Sequence, residues 1–282
     1  ASDLIIKDAA ARGLLCEGSR SLTIGRVIVD GWGKVARAKG LYIPAVHIYS
    51  KTVNYGKNVN LSDFDVRNPG VGDTGGIEVS GFDICHAVNM HVEETTYESK
   101  TDSAGIHLAC LRNYGTNLTT NGAACNGIRV SGHVDFGLFN CHPRNSGRSQ
   151  VGQPVGINIA ADGLKPRRGR IIGCSAHDDQ AIPTQRIGIL LNASATDVVL
   201  VTGCDAVGNI EAPLVNLGMP KARIHANVFD YLGETMPMNT GGNGGFRNGL
   251  KIGTSTIWVE PATGKLRIKN GTPTSDTDGT QV

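Results

Sequence analysis

His47, Glu78, His107, Arg129 and Asn158 stand at one position of a recurring tetrapeptide, where polar side chains can do chemistry on a long substrate. The tetrapeptide is Gly-Ile-x-(Val/Ile/Leu), found as Gly76-Ile77-Glu78-Val79, Gly105-Ile106-His107-Leu108, Gly127-Ile128-Arg129-Val130, Gly156-Ile157-Asn158-Ile159 and Gly188-Ile189-Leu190-Leu191. A weaker copy, Ala45-Val46-His47-Ile48, precedes them. Side chains alternate along a strand, so if each isoleucine points inward the residue after it points outward. Stacked at strand spacing, five polar positions make a strip about 20 Å long. Such a strip can line a saccharide chain. Glu78, between two histidines, suits an acid or base role, and Arg129 suits a carboxylate or sulfate. His47, His107 and Asn158 complete the substrate-binding set. The same residues are also what an ordinary solvated sheet face carries.

A second constellation is His177-Asp178-Asp179, with Asp205 one repeat later. Glycoside cleavage uses paired carboxylates about 5–9 Å apart, which makes Asp178, Asp179 and Asp205 catalytic candidates beside Glu78. Adjacent aspartates are equally what a turn selects for its backbone hydrogen bonds. The cluster Glu93, Glu94, Glu98 and Asp102 offers oxygen ligands for calcium without the spacing of a dedicated loop, and equally reads as a solvated acidic loop. No other cofactor is expected. Gly241-Gly242-Asn243-Gly244-Gly245 lacks the Lys-Ser/Thr and helix of a phosphate loop.

The elements that must position these residues follow from the spacing. The first residues of the five copies are 29, 22, 29 and 32 positions apart. Each copy is followed by a second β-type run, such as Gly137-Leu138-Phe139-Asn140-Cys141, Arg170-Ile171-Ile172-Gly173-Cys174 and Val199-Leu200-Val201-Thr202-Gly203-Cys204. Strands this short bury an apolar face only by stacking on the coils above and below. The expected fold is all-β, a single-stranded right-handed parallel β-helix. Ile77, Ile106, Ile128, Ile157 and Ile189 should form one inward column, and Cys141, Cys174 and Cys204 another. A β-sandwich predicts two-residue hairpins that are scarce here.

Composition agrees. The chain is 40% hydrophobic with 38 glycines and 5% aromatics, apolar enough to fold and rich enough in turns for many short strands. A net charge of +2 gives nucleic-acid binding no support. No apolar run is long enough to cross a membrane. Seven cysteines, none in a C-x-x-C pair, point to buried reduced thiols rather than to zinc or a disulfide framework. The chain starts at Ala1 without Met and reads as processed or as a fragment.

The coil pattern ends near Tyr231. Residues 1–231 are read as the β-helix, 232–245 as a glycine-rich linker, and 246–282 as a β element that caps the helix or drives oligomerisation. Gly249–Gly253, Thr256–Val259 and Lys265–Lys269 read as strands there, with Pro261-Ala262-Thr263-Gly264 as a turn. An uncapped β-helix end would expose unpaired strand edges.

The coils Gly173-Cys174-Ser175-Ala176-His177-Asp178-Asp179, Thr184-Gln185-Arg186-Ile187-Gly188-Ile189 and Gly203-Cys204-Asp205-Ala206-Val207-Gly208-Asn209 resemble those of pectate-lyase-like β-helix proteins. Many of these are bacteriophage tailspikes or prophage virion surface proteins. The run from Thr256-Ile257-Trp258-Val259 to Ser275-Asp276-Thr277-Asp278-Gly279-Thr280 is similar to the ends of phage tail and appendage proteins. The resemblance covers most of the chain from about residue 70. It implies a homotrimer on a virion surface, in contact with other virion proteins and with host surface polysaccharide, which it binds or depolymerises. A non-enzymatic virion fibre and a secreted polysaccharide lyase or hydrolase are the alternatives. Neither the N-terminal attachment domain usual in tailspikes nor a transferable catalytic motif is found in the sequence.

Overall fold

A computed structural model describes residues 3–18, 20–33, 43–50, 56–70, 74–96, 103–132, 134–147, 154–160, 168–192, 199–217, 222–225, 227–229, 249–252, 255–259, 266–270 and 280–281. The strands of the repeating part are β1 (Leu4–Lys7), β2 (Leu14–Glu17), β3 (Ser21–Trp32), β4 (Ile43–Tyr49), β5 (Gly56–Pro69), β6 (Thr74–Ser80), β7 (Phe82–Glu93), β8 (Ala104–Ala109), β9 (Arg112–Asn121) and β10 (Asn126–Val130). They continue as β11 (Asp135–Phe139), β12 (His142–Arg144), β13 (Val155–Ile159), β14 (Arg168–Ile172), β15 (Ile187–Leu191), β16 (Val199–Thr202), β17 (Asp205–Ala206), β18 (Ala212–Asn216), β19 (Arg223–His225) and β20 (Val228–Phe229).

Successive coils feed two parallel sheets in turn. One sheet, A, runs β1-β3-β5-β7-β9-β11-β14-β16-β19, with β12 beside β9. The other, B, runs β2-β4-β6-β8-β10-β13-β15-β18. All these pairings are parallel and in register from coil to coil, the architecture of a parallel β-helix. Right is the hand that strand twist gives to parallel crossovers.

The tetrapeptide supplies sheet B. Val46, Ile77, Ile106, Ile128, Ile157 and Ile189 are partners in one register column, and all are fully buried. Each contributes about 1.5–3 kcal/mol by leaving water. The glycine before each isoleucine has a separate cause. A Cβ at Gly105, Gly127, Gly156 or Gly188 would lie 2.5–3.0 Å from a carbonyl oxygen of the next coil, and at Gly76 it would collide with the Gly105 carbonyl outright. Their φ angles are not positive, so close backbone approach selects glycine here, not turn conformation.

Sheet A differs from the short second strands expected. β3, β5, β7 and β9 are 12, 14, 12 and 10 residues long. Each passes through a left-handed residue at the same register position: Arg26, Asp63, Asn89 and Asn117, with φ between 52° and 59°. The column continues at Asn140, Gly173 and Gly203, with φ of 54°, 62° and 62°. Asparagine tolerates this conformation because its amide bonds locally. Here the amides also bond along the axis. Asn89 Nδ2 donates to Asp63 Oδ1 at 2.9 Å, Asn117 Nδ2 to Asn89 Oδ1 at 3.0 Å, and Asn140 Nδ2 to Asn117 Oδ1 at 2.9 Å. Asn117→Gly keeps the backbone but loses two ladder bonds, and should cost about 1–2 kcal/mol. Asn117→Ala should cost about 1 kcal/mol more, for the left-handed φ. Urea midpoints of the two variants separate the contributions; equal midpoints would remove the backbone term.

Val27, Phe64, Met90, Leu118, Cys141, Cys174 and Cys204 follow the left-handed column and are all buried. The three cysteines stack as expected, with Cys141 N donating to Cys174 Sγ at 3.4 Å. All seven cysteines are free thiols. The hydrogen bond with Cys141, together with burial, pushes Cys174 up to about 12, and Cys204 is raised by its bond to Cys174 and by burial. These thiols stay protonated and unreactive at neutral pH.

A separate four-stranded antiparallel sheet is formed by β21 (Gly249–Ile252), β22 (Ser255–Val259), β23 (Leu266–Asn270) and β24 (Thr280–Gln281). The three strands expected in this region are present. The proposed linker 232–245 and the turn at 261–264 lie outside the described residues.

Candidate functional site

The sheet B column is assembled by register as the sequence requires: His47 pairs with Glu78, Glu78 with His107, His107 with Arg129, and Arg129 with Asn158. Its surroundings are less open than a solvated strip. Arg129 and Asn158 are only 4% and 9% exposed. Asn158 Nδ2 donates to Asn126 Oδ1 at 3.1 Å, and His107 Nε2 lies 2.7 Å from Ser131 Oγ. His47 stacks on Tyr49, with ring centroids 4.5 Å apart, and its Nε2 lies 3.9 Å from Glu78 Oε1.

Burial, and next the charge of Arg12, lower the His47 pKa to about 4, so His47 is neutral at pH 7 and its contact with Glu78 is not an ion pair there. The linkage sign follows. Between the ordinary histidine value of about 6.5 and the folded value, the unfolded chain binds the extra proton. Stability is therefore full above about 6.5 and falls as pH drops toward about 4. His47→Gln should flatten that part of the thermal midpoint profile; an unchanged slope would contradict it.

Asp178 is 5% exposed, and both its oxygens organise a turn. Oδ2 accepts from Thr184 N at 2.6 Å and Gln185 N at 2.5 Å, while Oδ1 accepts from Gln180 N at 3.2 Å and Gln180 Nε2 at 3.1 Å. Asp179 is exposed, and its N–H donates to Asn145 Oδ1 at 3.1 Å. Asp205 lies 3.1 Å from His177 Nε2 through Oδ2. Of the calcium candidates, Glu93 Oε1 is 3.5 Å from His91 Nε2, Glu94 is exposed, and Glu98 and Asp102 lie outside the described residues. Among the described residues, no group of three or more His, Cys, Asp or Glu could hold a metal ion.

The richest outward face belongs to sheet A, beyond the left-handed column. One outward column there holds Asp65, His91, Thr119 and His142, followed by Ser175 and Asp205. The neighbouring column holds Arg67, Glu93, Asn121, Arg144 and His177. His91 Nδ1 lies 2.8 Å from Thr119 Oγ1, and His142 Nδ1 lies 2.6 Å from Ser175 Oγ. A cleft of about 390 Å³ opens here, lined by His91, Asn121, His142, Arg144, Asn145 and Asp179, with Thr119 and Thr120. His142 is pushed below the ordinary histidine value, by burial first and then by Arg144 and His177. A neutral imidazole, a guanidinium and a carboxylate thus share one open cleft, with the His177–Asp205 pair on the adjoining rungs.

Asp179 and Asp205 of the sequence candidates belong to this face. His91, His142 and Arg144 were missed. The signal was present: each outward residue follows one of the inward column, as in Met90-His91, Cys141-His142 and Cys204-Asp205.

Neither the curated proteins nor the solved structures contain a match to the chain. Residues 236–282 match the family model of capsule depolymerases, and the parallel coils before them have the architecture of the tailspike-type β-helix proteins that the sequence resembles.

Proposed function

We propose that this protein is a virion surface depolymerase that binds and cleaves host capsular polysaccharide along the outer face of sheet A. The observation that carries the reading is the capsule depolymerase match at residues 236–282. The sheet A cleft supports it with the needed chemistry. Cleaving a glycosidic bond takes one group to protonate the departing oxygen and another to accept a proton. His142, neutral at pH 7, is the acceptor, and the His177–Asp205 pair is the donor. Arg144 and Asp179 hold the saccharide. A homotrimer, as the resemblance implies, would present this face three times around a shaft.

The direct test is to spot the purified chain on a lawn of encapsulated host cells. A cleared halo with loss of capsule staining, absent on acapsular cells, is expected. Capsule that binds the protein yet keeps its full thickness would leave the non-enzymatic fibre as the better reading.

A further inference from the structure

A second cleft, of about 650 Å³, lies on sheet A before the left-handed column, and its charge is unlike that of the chain as a whole. Tyr114, Gly137, Arg170, Leu200 and Arg223 follow one another in one outward register column. Gly137 is buried under two aromatic side chains: a Cβ there would meet the Phe139 ring at 2.7 Å and the Tyr114 ring at 3.2 Å, so the two rings close together over the glycine. Three arginines line the cleft, Arg168, Arg170 and Arg223. Arg168 is paired with Asp135 at 3.3 Å. Arg170 and Arg223 are exposed, and among the described residues neither forms an ion pair. Among the described residues of the lining, Asp135 is the one acidic side chain. The whole chain carries only +2, so this concentration of positive charge is local.

We propose that this cleft is a subsite for an acidic saccharide, with Arg170 and Arg223 each binding a carboxylate and Tyr114 and Phe139 stacking on sugar rings. The proposal rests on the polysaccharide-depolymerase reading and adds to it the substrate class. Guanidinium groups bind carboxylates through paired hydrogen bonds. Aromatic rings supply apolar area to the C–H faces of sugars at little entropic cost. Rungs are about 4.8 Å apart, so Arg170 and Arg223, two rungs apart, place positive charge about 10 Å apart. A glycan lying along the helix axis with one acidic group per disaccharide matches that spacing. The cleft and the His142 strip occupy the outward face of the same coils, on either side of the asparagine ladder.

The test is equilibrium binding of the full chain to a panel of purified capsular polysaccharides with one uronate per disaccharide. Each is run beside its carboxyl-reduced form, with neutral dextran and oligothymidylate as further arms. Binding to at least one acidic glycan is expected, and its loss on carboxyl reduction. Arg170→Gln and Arg223→Gln should each raise Kd about tenfold, the loss of one charge-assisted contact. Arg170→Lys should recover part of the loss. Both side chains are exposed, so the folded state should survive, which a thermal scan checks. Failure to bind any acidic glycan, binding unaffected by carboxyl reduction, or equal affinity for oligothymidylate would overturn the subsite. Cleavage, read in parallel, keeps the two readings apart. An acidic glycan held through these arginines but never shortened leaves the subsite and removes the depolymerase. A glycan shortened with unchanged KM by the double variant does the reverse.

Discussion

His142→Ala is expected to lower kcat/KM for capsule cleavage by about 10²–10⁴-fold, the range for losing a general base. Stability should change little. The ring is half-buried, and its side-chain hydrogen bond among the described residues is with Ser175 Oγ at 2.6 Å. The pH profile makes the test specific to chemistry. A base must be unprotonated, so activity should fall as pH drops through the His142 pKa. Burial, Arg144 and His177 place that limb below the ordinary histidine range. Arg144→Gln removes one repelling charge and should move the limb upward. A limb that stays put in Arg144→Gln, or an alanine variant with wild-type rate, would take His142 out of the reaction.

Gly76→Ala is expected to be the most disruptive small substitution in the coils, costing about 1–3 kcal/mol as forced overpacking. The added methyl would collide with the Gly105 carbonyl and lie 2.7 Å from Val92 Cγ1. A backbone oxygen fixed in a parallel ladder has nowhere to go, so the coils must separate. Ala45 takes the same register position one coil before Gly76 and Pro213 takes it one coil after Gly188, so the restriction applies from Gly76 to Gly188. Gly137→Ala is the control, since its methyl meets side-chain atoms, the far end of the Phe139 ring and Cδ1 of Tyr114, rather than the backbone of the next coil. Urea midpoints should fall clearly for Gly76→Ala and little for Gly137→Ala. Equal losses would mean that close approach between coils is not what selects the glycine.

Sheet B was legible because its motif joins two constraints in adjacent residues. Glycine answers the approach of the next coil and isoleucine answers the interior, and both recur in the five successive coils from Gly76 to Gly188. The cysteine column was legible for the same reason at Cys141, Cys174 and Cys204. The left-handed column escaped notice because four residue types, Arg, Asp, Asn and Gly, occupy one backbone position, as Arg26, Asp63, Asn117 and Gly173 do. The repeat pattern led to an expectation of short second strands, whereas β5 and β7 run through the left-handed residue as single strands of 14 and 12 residues.

The site was half legible. Alternation placed the residues of the sheet B column correctly on one line, but alternation carries no information about cover, and Arg129 and Asn158 proved buried. The same rule applied to the cysteine column points to His142, Ser175 and Asp205, now seen on the face that holds the cleft. Asp178 and Asp179 are neighbours with opposite fates: one is consumed by the amides of Thr184 and Gln185, the other faces the cleft. Sequence spacing could not separate them, because the turn from Asp178 to Gln185 is fixed by hydrogen bonds rather than by periodicity.

The most direct measurement is mass spectrometry of host capsular polysaccharide after incubation with the full chain and with its His142→Ala variant. The wild-type chain should convert the polymer into a ladder of oligosaccharides differing by one repeat unit, and the variant should leave it at full length. Polymer that keeps its full length with both proteins would contradict the assignment of capsule cleavage to this β-helix.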